Sequence, residues 1–366
     1  MRYLFYLVHP AKFQFHKEQI KKLKKDGHTV DIVINSKDIL EELLKEENWQ
    51  FYNIFPEGRK IKGLHVYIAA FISIFRTIYR LLKFTKGKKY DLFIGDLLTI
   101  LGRIKGVPSL YPTDDVIRQV PEQSIFLFTC KHIIAPTITD LGIFNKKKIN
   151  YDGYKALAHL HPNCFSPNFD FLDLASIGNK LFLIRCTGFG ATHDLGRKGI
   201  DNEVLNEIIG LLENKGDIII SSERVLPDHL EKYKFKGNKN KIHHLMAIAD
   251  IFIGDSTTMC TEAALLGTPV VEYDTYWYEI EQMLELQYKY EMIHLFQPPA
   301  LELMLEKISE IVNSDSSKAM AIRKKDAFIQ EKIDVSEFLV WFMENYPKSY
   351  NEYKKNPFIQ YKFRKR

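Results

Sequence analysis

Residues Ile248 to Asp274 read IADIFIGDSTTMCTEAALLGTPVVEYD, and the fold turns on how this stretch is interpreted. Ile251 to Ile253 is a short, β-branched apolar run, the pattern of a strand buried on both faces of a parallel sheet. Gly254 permits a sharp turn, and Asp255, Ser256, Thr257 and Thr258 then suit the first turn of a helix. Free backbone N–H groups and the helix dipole favour an anion there, so a phosphate fits without a dedicated lysine. Glu262 lies one helical turn beyond Thr258, about a ribose away, where a carboxylate could accept hydrogen bonds from two sugar hydroxyls. Ala263 and Ala264 let the helix press on the sheet, Gly267 ends it and Pro269 marks the stop. The unit reads as a place for a nucleoside diphosphate, and the plainer alternative is an ordinary βα turn with a capped helix.

Four further passages stand in order along the chain: HPAKFQFHK (His9 to Lys17), YDGYKALAHLHP (Tyr151 to Pro162), ATHDLGRKG (Ala191 to Gly199) and ISSERVLP (Ile220 to Pro227). The opening stretch resembles the second-domain signature of sugar-nucleotide glycosyltransferases and of non-hydrolysing UDP-N-acetylglucosamine 2-epimerases: a small polar turn, a glutamate, then LG-x-P. With the other four it is similar to a bacterial and archaeal GT-B-like family catalogued as a domain of unknown function. The resemblance implies an α/β, GT-B fold, two Rossmann-like doubly wound domains facing a central cleft. The expected boundaries are 1–165 for an acceptor domain, 166–330 for a nucleotide-sugar domain, and 331–366 for a helix crossing back and a basic tail.

Composition sets the outer bounds. A chain of 366 residues, 46% of them hydrophobic, suffices for two cores. The net charge of +5, from 51 basic and 46 acidic residues, does not call for nucleic acid; anionic small molecules or lipid headgroups satisfy it equally well. Cys130, Cys164, Cys186 and Cys260 form no CxxC pair, so neither a zinc site nor a disulfide framework is expected, and a reducing cytoplasm fits. MRYLFYLVHP is too short an apolar run for a signal peptide and reads as a first strand. Val66 to Phe75 is too short to span a bilayer.

Taken in order, strands are expected at Tyr3–Val8, Thr29–Ile34, Gln50–Phe55, Asp91–Gly95, Ser109–Tyr111, Ser124–Phe128, Ile133–Ala135, Leu181–Cys186 and Ile218–Ser221. Between them, helices are expected at Gln19–Lys25, Ser36–Glu47, Leu64–Phe84, Leu98–Lys105, Glu203–Asn214 and Ile242–Ala249, with more at about 300–312, 318–330 and 335–346. Pro162 to Pro167 is the expected linker. In the long helix Arg76, Arg80 and Lys83 recur at helical spacing and predict a basic face, either solvated or against a membrane. His159 and His161 invite a metal, but no partner stands at ligand spacing and a structural role is expected, so no metal and no cofactor are assigned. Four glycines, Gly188, Gly190, Gly196 and Gly199, mark a loop that approaches something closely. No Walker or Rossmann glycine pattern is present, so neither ATP nor NAD is assigned.

What the resemblance adds is a set of roles. Arg185, Gly188, His193, Asp194, Arg197, Ser222, Glu223, His243, Asp255, Ser256, Thr257, Thr258 and Glu262 become candidates for binding a nucleotide sugar, UDP-linked by analogy with the relatives. His243 or His244 would flank the base. The catalytic candidates are His9, Asp96 and Asp114, any of which could deprotonate an acceptor hydroxyl. The implied reaction is metal-independent inverting glycosyl transfer to a sugar or lipid-linked acceptor, in cell-envelope polysaccharide or glycolipid synthesis, by a cytoplasmic protein with peripheral contact at the inner face of the membrane. Two alternatives stay open: an isomerase using Asp96, Asp114 and Glu122, and a non-catalytic sugar-nucleotide binder. The run TYWYE at Thr275 to Glu279 departs from the epimerase pattern and argues against the first.

Overall fold

Apolar runs from the N-terminal part of the chain pair as seven parallel strands: β1 (Arg2–Leu7), β2 (Thr29–Ile34), β3 (Tyr52–Asn53), β4 (Leu92–Ile94), β5 (Ser109–Pro112), β6 (His132–Pro136) and β7 (Lys148–Tyr151). Their order is β3-β2-β1-β4-β5-β6-β7. Parallel neighbours need crossovers, and these carry α1 (Pro10–Lys25), α2 (Leu40–Glu46), α3 (Val66–Phe84), α4 (Leu98–Lys105) and α5 (Ser124–Thr129), with α6 (Leu157–Leu160) after β7. A second parallel sheet follows, built from β8 (Leu181–Cys186), β9 (Asp217–Ser222), β10 (Ile251–Gly254), β11 (Val270–Tyr273) and β12 (Ile293–Phe296) in the order β12-β11-β10-β8-β9. Its helices are α7 (Asn202–Leu212), α8 (Ile242–Ile248), α9 (Thr257–Leu265), α10 (Glu281–Tyr288), α11 (Leu301–Asn313) and α12 (Ser317–Glu331). The computed structural model describes residues 1–35, 40–58, 66–170, 180–188 and 198–364.

The chain divides into two compact units, Met1–Cys164 with Lys332–Arg366, and Phe165–Glu331. In the first, α13 (Val335–Glu344) returns to pack on α1 and α6, and α14 (Lys348–Lys355) packs on α13 and reaches strand β7. Ser336 Oγ donates to the Ala158 carbonyl at 2.6 Å, and Tyr353 Oη donates to the Asn150 carbonyl at 2.9 Å. Buried His161 lies 3.4 Å from the Asp334 carboxylate, itself the N-cap of α13. His161 is thus tied to the fold of this unit.

Each sheet winds outward from its middle. In the first, β1 leads to β2 and β3 on one side while β4 starts the other. In the second, β8 leads to β9 while β10 starts the other direction. Ligands of such sheets bind beyond the strand ends where the winding reverses, which singles out the ends of β1 and β4, and of β8 and β10.

Several expectations required correction. Ser124–Phe128 forms α5, because β5 and β6 are parallel neighbours and the chain between them must cross over; Pro121 starts the turn, and Leu127 packs with Tyr111, Ile133 and Ala135. The first helix begins at Pro10 rather than Gln19, with His9 as its N-cap. The strand expected over Gln50–Phe55 shrinks to the edge pair Tyr52–Asn53. Strands β7 and β12 lie outside the strands expected from sequence. Of the second helix, Leu40–Glu46 is seen, and Ser36 lies outside the described residues.

Gly95 follows β4 at φ +132°, and a Cβ there would stand 2.8 Å from the Tyr6 carbonyl oxygen. Gly95→Ala is expected to lower unfolding free energy by about 1–3 kcal/mol or more, read by chemical denaturation.

Candidate functional site

The N-terminus of α9 stands where the second sheet reverses. Gly254 closes β10 with little room for a side chain, since a Cβ would lie 3.0 Å from the Phe252 ring and 3.2 Å from Arg185 Cβ. Asp255 is then turned inward, only 4% exposed. One of its carboxylate oxygens accepts the Thr187 N–H at 2.8 Å and the other accepts the Ile200 N–H at 3.2 Å. Thr187 and Ile200 are the two stems of the glycine-rich loop, so a single carboxylate joins both to the turn before α9. Burial pushes the Asp255 carboxyl up to about 6, although the two backbone bonds act in the other direction.

Past Asp255 the helix start is open. Ser256 is the N-cap with extended backbone (φ −123°, ψ 100°), and its hydroxyl makes no capping bond. Ser256 and Thr257 are half-buried and Thr258 is exposed. Cys260 N–H donates to the Ser256 carbonyl at 2.8 Å, which sets the first helical turn. One turn further in, Glu262 is 8% exposed and lies 3.1 Å from His243 Nε2. His244 stacks on Phe165 and its Nδ1 accepts the Asn168 N–H at 3.0 Å. Glu272, on β11, is wholly buried; burial first and the neighbouring Asp274 second hold its carboxyl well above the usual carboxylate range. The shift favours the uncharged form of Glu272, which lies beside Cys260 of α9.

Cations line the loop stems. Arg185 donates to Ser221 Oγ at 2.9 Å and forms an ion pair with Glu223, which also accepts the Gly188 N–H at 3.2 Å. Ser222 Oγ bridges the backbone N–H and carbonyl of Arg224, at 3.1 and 2.7 Å. The Arg224 guanidinium in turn donates to the Ile200 carbonyl. Lys198 exchanges two bonds with Thr275, at 3.0 and 3.1 Å. His193, Asp194 and Arg197 lie outside the described residues. Thr187, Arg224 and Thr275 were not singled out from sequence, and only Arg224 had a signal there, its place after a strand end.

In the first unit His9 and Asp96 sit at its own reversal, and Asp114 follows the next strand out. His9 is exposed, and its Nδ1 accepts the Ala11 N–H at 3.2 Å, capping α1. Asp96 follows β4 and lies 3.3 Å from the Lys12 ammonium, which also donates to the Pro112 carbonyl at 3.0 Å. Asp114 follows β5 and pairs with Lys155 at 2.8 Å. Glu122 is exposed on the turn before α5. Two carboxylates thus carry lysine partners that sequence reasoning missed, although both lysines fall in passages that carried the resemblance.

A family model described as protein of unknown function (DUF354) matches residues 6–337. The chain belongs to the DUF354 family. No curated protein matches it. Among solved structures, this DUF354 chain is similar to the S. aureus MnaA–UDP co-structure, with a TM-score of 0.65 at 10% identity over 95% of this chain and 97% of that one. It is similar also to the UDP-GlcNAc 2-epimerase of Neisseria meningitidis bound to UDP-GlcNAc, with a TM-score of 0.59 at 15% identity over 89% and 98%. Acinetobacter baumannii MurG gives 0.58 at 12% identity over 94% and 99%. The DUF354 chain has the GT-B fold, with glycosyltransferases and epimerases as its neighbours.

Asp255→Ala would leave two backbone donors without their acceptor, at about 1–3 kcal/mol each, read as a lowered urea midpoint. Because the folded state holds the Asp255 proton more tightly than the ordinary value of 3.8, its contribution to stability is fullest below about pH 4. It is lost as pH rises through about 6. Asp255→Asn should flatten the dependence of melting temperature on pH over that interval.

Proposed function

We propose that this protein is a nucleotide-sugar-dependent glycosyltransferase that inverts the anomeric centre and takes a UDP-linked donor. The observation that carries this reading is the open start of α9 at the reversal of the second sheet, with Ser256 and Thr257 half-buried, Thr258 exposed and Glu262 one turn within. The diphosphate of the donor is held by the first-turn N–H groups, with Arg185 or Arg197 adding charge, and Glu262 accepts from the ribose hydroxyls. The binding set extends to Gly188, His193, Asp194, Ser222, Glu223, His243 and Asp255, the last as the clamp that shapes the loop. UDP as the nucleotide is supported by structural neighbours bound to UDP and to UDP-GlcNAc.

In the transfer, the acceptor hydroxyl oxygen bonds to the anomeric carbon as the bond from that carbon to the diphosphate oxygen breaks. The nucleoside diphosphate leaves with the electron pair, and the hydroxyl proton passes to His9, Asp96 or Asp114. A sugar or lipid-linked acceptor in envelope polysaccharide or glycolipid synthesis fits this chemistry.

Thermal shift against UDP, GDP, dTDP and their sugar conjugates tests the donor assignment. A ligand at a hundred times its Kd stabilises by about 2.7 kcal/mol, so UDP should raise the melting temperature clearly. Glu262→Ala should remove most of that shift while the apo protein stays folded by circular dichroism. Absence of any nucleotide shift would sink the reading. Turnover of UDP-GlcNAc to its 2-epimer without acceptor, followed by NMR, would replace transfer with isomerisation.

A further inference from the structure

The long helix α3 leaves an apolar stripe uncovered. Ile68, Phe71, Phe75 and Tyr79 are 53%, 63%, 60% and 69% exposed, and their spacing of three and four residues places them along one side. The opposite side is buried: Thr77 and Leu81 are fully covered, and Ile74 and Ile78 pack on the core of Leu4, Phe93 and Leu97. The four side chains extend along about 16 Å of helix. Phe71 and Phe75 meet edge to face at 4.7 Å, an aromatic pair in the middle of the ridge.

The charges that α3 itself carries are of one sign. The helix VYIAAFISIFRTIYRLLKF contains no acidic residue. Arg76 and Arg80 do not look outward as sequence suggested; both pair with Glu57 and lie over the Phe55 ring, at 5.3 and 4.3 Å. The outward cations are Lys83, one turn past Tyr79 on the same line, and then Lys86 and Lys89, all exposed. No carboxylate among the described residues pairs with these three.

We propose that the outer face of α3 docks on an anionic lipid bilayer, the helix lying in the plane of the surface. Ile68, Phe71 and Phe75 would enter the acyl boundary, while the Tyr79 hydroxyl and the lysines beyond it stay among the phosphates. Charge complementarity selects this occupant: an apolar ridge with hardly a hydrogen-bonding group, ending in lysines that no described carboxylate pairs with, matches acyl chains bordered by phosphate. No described helix is long and apolar enough to cross a membrane, so contact is along the surface. Docking of this kind holds whether or not α9 binds a nucleotide.

The test is co-sedimentation of the full chain with vesicles of phosphatidylglycerol mixed with phosphatidylcholine, and of phosphatidylcholine alone. Binding is expected on the anionic vesicles and weakly on the neutral ones. Phe71→Ser/Phe75→Ser/Tyr79→Ser should reduce the partition coefficient more than about tenfold with an unchanged melting temperature, since these side chains are exposed. Lys83→Glu/Lys86→Glu/Lys89→Glu should abolish the preference for anionic vesicles and keep the residual apolar binding. The proposal is overturned if the wild type stays in the supernatant with anionic vesicles or if the triple serine variant sediments as the wild type does. It is overturned equally if sedimentation velocity shows a wild-type dimer that the serine variant lacks, which would assign the ridge to a second copy of the chain.

Discussion

The second unit depends on one buried carboxylate. Asp255 accepts backbone N–H groups 68 residues upstream and 55 residues upstream of itself, and so fixes the distance between the stems of the glycine-rich loop and the first residue of α9. Burial of the charge is unfavourable and two backbone bonds offset it; the carboxyl comes to rest near 6. The geometry is available only because β8 and β10 are neighbours at the point where the sheet reverses.

The strand ends of the two units carry contrasting chemistry. At the end of β10 stand a helix start and half-buried hydroxyls, with buried Glu272 favoured in its neutral form nearby, an arrangement that welcomes an anion. At the ends of β4 and β5 in the first unit stand the carboxylates of Asp96 and Asp114, each beside a lysine. One end suits a leaving phosphate, and the other suits groups that handle a hydroxyl proton.

Helix α3 shows how one pattern of residues admits two orientations. Arginine stems are long and apolar enough to lie over the Phe55 ring while their guanidinium groups reach Glu57, so the arginines can face the domain. The aromatics are left outward. A periodicity reading assigns the charged side to water by default, and it was the position of Glu57 on the neighbouring loop that reversed the outcome.

The sequence alone determined the α/β class, the GT-B fold through the quoted passages, and the strand, turn and helix from Ile251 to Gly267, because these rest on local signals: β-branched runs, a glycine turn, hydroxyls at a helix start and a Gly–Pro stop. It did not determine α5, whose apolar run SIFLF suits either state and whose fate was set by the parallel pairing of β5 with β6. Nor could it expose β7 (KINY) or β12 (IHLF), four-residue edge strands that gain their pairing from a neighbour rather than from composition. The inward turn of Asp255 and the pairings of Lys12 with Asp96 and Lys155 with Asp114 were decided by tertiary structure, since each joins residues far apart in the chain through strand adjacency, which no local pattern encodes.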